Sequence, residues 1–201
     1  LPPAFDGLKL AAREVGSVQI QNTGTIAGNL CNASPAADGV PPLLTLGAEV
    51  ELVSIKSTRR LPLDEFLKGV RQTDRAADEV LSAIHIPDLP MGARGSFVKR
   101  GARKYLVISI CMVAVLVTVE GSNVGDIRIA IGAASPVAMR LTALEDALRG
   151  VPATDAARAV TDDMILELTP ITDVRASAEY RQASAASVIR RAITLALEGA
   201  A

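Results

Sequence analysis

The longest apolar run of the chain lies between Leu106 and Val119, where only Ser109 and Thr118 interrupt aliphatic or sulfur-containing residues after Tyr105. Such a run, rich in β-branched residues, predicts a buried strand over Val113–Val119, preceded by a short helix or turn over Lys104–Cys111. A second strand, Asp126–Ala133, pairs with it around the polar turn Glu120–Gly125. Further strands are expected at Ala48–Ile55, at Val80–Ile86 ahead of Pro87, and at Ser96–Arg100. Helical spacing predicts an amphipathic helix over 8–15, stopped by Gly16, and a helical turn over Leu63–Val70 introduced by Pro62. Three more helices are expected at Leu141–Leu148, Ala153–Leu168 and Ala176–Leu197. In the last, Ala and Ile repeat on one face and Arg181, Arg190 and Arg191 fall outside it.

Two stretches break the pattern. Gln19 to Pro42 is dense in Gly, Asn, Thr, Ser, Asp and Pro and reads as a long loop, and loops of that length are functional or disordered. Its apolar residues Ile26, Leu30 and Val40 favour order. Asp88–Gly95 reads as a linker, which divides the chain into domains at 1–90 and 91–201.

Composition narrows the class. The chain has 201 residues, 49% hydrophobic, with two Tyr, three Phe and no Trp, a make-up suited to an α/β or α+β interior. The scarcity of aromatics and the net charge of −1 argue against nucleic acid as a partner. Cys31 and Cys111 are far apart, and His85 is the single histidine, so no self-contained metal site is expected. The cysteines read as small buried hydrophobes, and His85 as a partly exposed structural residue. Two lone cysteines, no signal peptide at Leu1 and no run long enough for a bilayer lead to the expectation of a soluble cytoplasmic protein, with no membrane partner.

The candidate chemistry lies in Gln19–Leu30 and Ala33–Asp38. Gly24 and Gly28 bracket what reads as a tight turn that lets backbone approach a ligand. Thr23, Thr25 and Asn29 add side-chain donors, and successive N–H groups in such a turn form an anion site that suits a phosphate or pyrophosphate. A plain connecting loop satisfies the same composition.

The segment resembles the second flavin-binding motif of the FAD subunits of xanthine dehydrogenase, carbon monoxide dehydrogenase and related molybdenum hydroxylases. That motif is a threonine-aliphatic-glycine-glycine-asparagine loop, preceded by Gln-Ile-Arg-Asn-x-Gly and followed by Ala-Ser-Pro-x-x-Asp. Here Gln21 stands for the Arg and Ala27 for the first Gly of the pair. The likeness continues in order through Val80–Pro87, Ser96–Arg103, Ile129–Ala133 with Pro136 and Arg140, Asp173–Arg181, and Arg190–Ala192.

The resemblance implies an α+β fold: the remaining half of a PCMH-type FAD-binding domain, then a carboxy-terminal domain of small antiparallel sheet covered by helices. It implies flavin or pyrophosphate contacts from Thr25, Ile26, Ala27, Gly28 and Asn29. Asp38 would reach a ribityl hydroxyl, Lys99 would lie near the isoalloxazine ring, and Leu81 would pack on or near it. A solvated carboxylate, a solvated lysine and a plain core leucine are the competing readings of those three. No catalytic residue and no metal ligand are implied in this chain. The cofactor would be FAD, with molybdopterin and 2Fe-2S clusters in partner subunits, an iron–sulfur and a molybdenum-cofactor subunit, assembled as a dimer of heterotrimers. Electrons would pass through FAD to NAD, a quinone or dioxygen. Family members begin with a further glycine-rich subdomain that nothing here matches, so roughly a first third is expected to be lacking. Two rival readings are a stand-alone oxidase of the vanillyl-alcohol oxidase type and a non-catalytic docking piece. Arg175, Tyr180 and Arg181 read as structural or interfacial.

Overall fold

The computed structural model describes residues 1–104 and 106–199, so Tyr105, inside the expected turn Lys104–Cys111, lies outside the described residues. A 3-10 turn at Pro3–Phe5 leads into helix α1 (Asp6–Glu14), which ends before Gly16 as its spacing predicts. The stretch expected as a loop is instead three six-residue helices: α2 (Val18–Thr23), α3 (Ile26–Cys31) and α4 (Val40–Thr45). Local signals account for this. Thr25 caps α3 by accepting from the Gly28 N–H, and α4 opens with prolines, whose fixed φ suits a first turn.

Strands β1 (Glu49–Val53), β2 (Thr58–Pro62) and, later, β5 (Val80–His85) form one antiparallel sheet in the order β2-β1-β5. The turn after Pro62 shortens to α5 (Leu63–Phe66), and the rest of the expected helix becomes a ribbon of β3 (Leu67–Gly69) and β4 (Gln72–Thr73). The second sheet has four strands in sequence order: β6 (Arg94–Arg100), β7 (Cys111–Glu120), β8 (Asn123–Gly132) and β9 (Met139–Arg140). The β7–β8 hairpin turns on Gly121 and Ser122, with Gly121 at φ 63°. These mixed helices and antiparallel sheets are the α+β fold that the sequence implied.

Burial on both faces of the second sheet explains why β7 is apolar at nearly every position. Cys111, Val113, Val115 and Val117 point to helices α6 (Thr142–Leu148) and α7 (Ala178–Glu198), whose Leu144, Ala185, Ile189 and Ile193 complete that core. Met112 and Ala114 point the other way, with Phe97 and with Ala11 of α1. Helix α1 comes so near β6 that a β-carbon on Gly7 would sit 2.7 Å from the Ser96 carbonyl oxygen. Only glycine fits there. A second core, around Leu43, Val50, Leu63 and Phe66, fills the space between α4, α5 and the first sheet.

Two expectations fail in the carboxy-terminal part. Ala153–Leu168 is not a helix but successive turns and a 3-10 segment at Asp162–Ile165. Its apolar positions Ala156, Val160, Ile165 and Leu168 do reach the core, yet the Val160 carbonyl accepts from the Arg190 guanidinium at 2.8 Å and not from a helical N–H. Arg181, expected outside the apolar face of α7, is 3% exposed.

Candidate functional site

Helix α3 sits at the rim of an open groove of about 660 Å³. Its N-cap Thr25 has extended backbone (φ −124°, ψ 153°), which turns the side-chain oxygen onto the Gly28 N–H at 2.9 Å. Gly24 has φ −70° and Gly28 lies inside α3, so the two do not bracket the tight turn expected of them. What Gly28 provides is room, since a β-carbon there would meet the Thr25 hydroxyl at 3.0 Å. Thr25, Ile26, Gly28 and Asn29 line the groove, with Leu8 and Ala12 of α1, Val15 just past its end, and Ile20 of α2. Ile20 and Ile26 are each about half exposed, an apolar lining open to solvent. Size and mixed character suit a small-molecule site.

From the groove a short chain of contacts runs inward. The Asn29 carboxamide oxygen accepts from the Gly39 N–H at 3.3 Å, and a β-carbon on Gly39 would come within 2.9 Å of it. Next to Gly39 is Asp38, 6% exposed, whose two carboxylate oxygens each have a partner. One oxygen accepts from the Lys99 ammonium at 2.7 Å and the other from the Ser109 hydroxyl at 2.8 Å. Lys99 donates also to the Glu14 carbonyl at the end of α1, at 3.1 Å. Burial lifts the Asp38 pKa above the ordinary carboxylate range, while the bonds from Lys99 and Ser109 pull it the other way.

Lys99 opens on a second groove, of about 650 Å³, whose lining includes Arg100, Gly101, Arg103, Tyr180 and Arg175. Glu14 lines it too, so the end of α1 separates the two grooves, with Arg13 and Val15 on one side. The structure thus places Thr25, Ile26, Gly28 and Asn29 in one groove and Lys99 in the other, with Asp38 buried between them. Neither Asp38 nor Lys99 is a solvated surface charge, the bland reading of each.

Two candidates lie elsewhere. Leu81 is 9% exposed on β5, pairs with Leu52 and belongs to the second core, lining neither groove. Ala27 lies inside α3 with its side chain against that same core, in a conformation open to any residue. Of the remaining singled-out residues, His85 bonds Glu51 at 3.0 Å on the first sheet. Cys111 is buried and pushed up to about 12 by that burial, whereas Cys31 is only partly buried.

Two residues of the site escaped the sequence reading. Ser109 was visible only as a polar interruption of the apolar run, and that interruption was its signal. The Glu14 carbonyl has no signal in sequence.

The chain matches two family models in order: the FAD binding domain in molybdopterin dehydrogenase over residues 3–89, and the CO dehydrogenase flavoprotein C-terminal domain over residues 96–196. It is 32% identical to the nicotine 6-hydroxylase medium subunit of Paenarthrobacter nicotinovorans, over 91% of this chain and 64% of that protein. It is 28% identical to the xanthine dehydrogenase FAD-binding subunit of Escherichia coli O157:H7, over 94% of this chain and 66% of that protein. The chain therefore spans about two thirds of these relatives' length. Its fold superposes on a chain of the carbon monoxide dehydrogenase from Hydrogenophaga pseudoflava with a TM-score of 0.89 at 29% identity, covering 100% of this chain and 71% of that one.

Proposed function

The chain belongs to the CO dehydrogenase flavoprotein family, the FAD-binding subunits of molybdopterin dehydrogenases, and from that premise we propose that it holds FAD and relays electrons within a molybdenum hydroxylase. The observation that carries this reading is the line of contacts from Thr25 and Asn29 through Gly39 to the buried Asp38–Lys99 pair. FAD, when bound, supplies the redox chemistry.

The chain's own residues do the rest. Thr25, Ile26, Gly28 and Asn29 offer a rim of mixed polarity at which a long dinucleotide can lie. Ala27 supports that rim from the core side. Lys99 holds a positive charge at the far end, where it favours a reduced, anionic flavin, and Asp38 fixes where that charge sits. Leu81 serves the site only by packing the sheet beneath it. No acid–base pair is required, because substrate oxidation takes place in another subunit.

In this reading residues 1–90 are part of the flavin-binding domain and 91–201 the closing domain, joined across Asp88–Gly95. Relatives bear the names of medium subunits and medium chains, which supports assembly with an iron–sulfur subunit and a molybdenum-cofactor subunit. We place that assembly, a dimer of heterotrimers, in the cytoplasm, with NAD, a quinone or dioxygen as the final acceptor. Among the described residues no helix is long and apolar enough to cross a membrane, and both cysteines are free.

The test is co-expression with an iron–sulfur and a molybdenum-cofactor subunit. The tagged chain should carry both through purification, and the organic substrate should then bleach the flavin band. Reduction of the iron–sulfur centres with the flavin left oxidised would sink the relay reading.

A further inference from the structure

The segment Asp173–Arg181 resembles the family's closing motif, yet nothing in the proposed function uses it. In the fold its polar side chains converge beside Lys99 and Ser109, at the ends of β6 and β7. The chain leaves the sheet after β6 and returns at β7, and the neck of this excursion is closed by the Ile110 N–H donating to the Arg100 carbonyl at 2.8 Å. Lys99 and Ser109 stand beside the neck, one on each side, and grip the two oxygens of Asp38.

From the opposite direction α7 grips the same neck. The Arg100 guanidinium donates to the Tyr180 hydroxyl at 2.9 Å. Arg181, 3% exposed, donates to the Ile110 carbonyl at 2.6 Å and to the Ala133 carbonyl at 2.9 Å. Its remaining terminal nitrogen bonds Asp173 at 2.8 Å, and the Arg175 N–H holds that carboxylate in place from the same distance. A planar guanidinium that bonds three acceptors through its rigid fork fixes their relative positions, which a flexible point charge cannot do. Ala133 itself is held at φ 62°, a conformation costly for a residue with a β-carbon, so its carbonyl is presented to Arg181 at some strain.

We propose that Arg181 and Tyr180 are positioning residues: they clamp the neck between Arg100 and Ile110 so that Lys99 and Ser109 stay on Asp38, and thereby set where the Lys99 charge stands. The clamp itself is independent of any cofactor; its consequence for a flavin rests on the function proposed above.

The experiment has two readouts. The first is acylation of the Lys99 amine, mapped by mass spectrometry on the chain without added cofactor, beside circular dichroism and the labelling of other lysines as a check on folding. In the native chain Lys99 is protected, since its side chain is 5% exposed. Arg181→Met and Tyr180→Phe should expose it selectively, and Arg181→Lys should restore only part of the protection. The second readout is the flavin midpoint potential after loading with FAD. Arg181→Met and Ser109→Ala should each lower it, and the double variant should shift it no further than the larger single change. Unchanged Lys99 labelling in folded variants, or potential shifts that simply add, overturns the clamp. Should Arg181→Met fail to fold, Tyr180→Phe decides by the same labelling. Failure of the native chain to take up flavin counts against the flavin reading alone, and the labelling still decides the clamp.

Discussion

Lys99 and Asp38 are 61 residues apart in sequence and meet at 2.7 Å, with side chains only 5% and 7% exposed. The pair joins β6 to the segment between α3 and α4, and so ties the second sheet to the groove rim. Removing one partner of a buried pair leaves an uncompensated charge. Lys99→Met is therefore expected to destabilise the chain by about 3–5 kcal/mol, read from urea unfolding. Lys99→Met combined with Asp38→Asn should recover much of that loss, because the stranded charge is gone. Equal stability of the single and double variants would show that the pair is not desolvated.

Thr25 is the cap of α3 and part of the groove rim at once. Thr25→Ala should lower stability by about 1 kcal/mol through the lost bond to Gly28 and should also weaken FAD uptake, measured by titration. Ala27→Gly separates the two effects. It lies in the helix with its side chain on the core and not in the groove, so it should cost about 1 kcal/mol in stability and weaken FAD uptake less than Thr25→Ala does.

Gly7 and Gly95 permit the contact between the first helical turns and β6. A β-carbon at Gly95 would meet the Ala4 carbonyl oxygen at 2.6 Å, and backbone cannot step aside as a side-chain tip can. Gly7→Ala and Gly95→Ala are each expected to cost about 1–3 kcal/mol in thermal or denaturant unfolding. Gly7→Ala should in addition loosen the Glu14 carbonyl from Lys99, since both ride on α1.

Acid stability should fall in a defined window. The Arg59 guanidinium, with the Ala76 N–H, holds the Glu79 carboxyl down at about 2. Asp173, against a burial that raises it, is brought to about 2 by the Arg175 N–H and the Arg181 guanidinium. Both pKa values are depressed on folding, so both contributions are complete above the ordinary values of 4.5 and 3.8 and are lost as pH drops toward 2. Melting temperature should decline across that range. Arg59→Met should flatten the decline, and an unchanged slope in that variant would contradict the assignment.

Much of the second sheet was legible because burial leaves a plain trace: the run that became β7 is apolar on both of its faces, and β8 and α7 carry the matching residues. The helices of residues 18–45 were not legible. Each is six residues long: α3 rests on the Thr25 cap and α4 on prolines at its first turn, signals that read equally well as loop, and α2 has neither. Ala153–Leu168 misled in the opposite way, since its apolar spacing is helical while the Val160 carbonyl, where a helix would continue, accepts from the Arg190 guanidinium. β2 was missed because an edge strand with one buried residue, Leu61, has no alternation to find. At the site, the motif pointed to the groove rim, but the pairing of Asp38 with Lys99 and Ser109 is a product of tertiary packing. Leu81 shows the limit of a motif: its position matched, and its side chain went to the core.

The most direct test of the central claim is the visible spectrum of the chain after mixing with FAD and desalting. The account predicts a retained flavin band near one cofactor per chain, weakened by Thr25→Ala and shifted by Lys99→Met. A colourless protein that is nonetheless folded would contradict the claim that the groove at Thr25–Asn29 and the Lys99 charge hold the flavin in this chain.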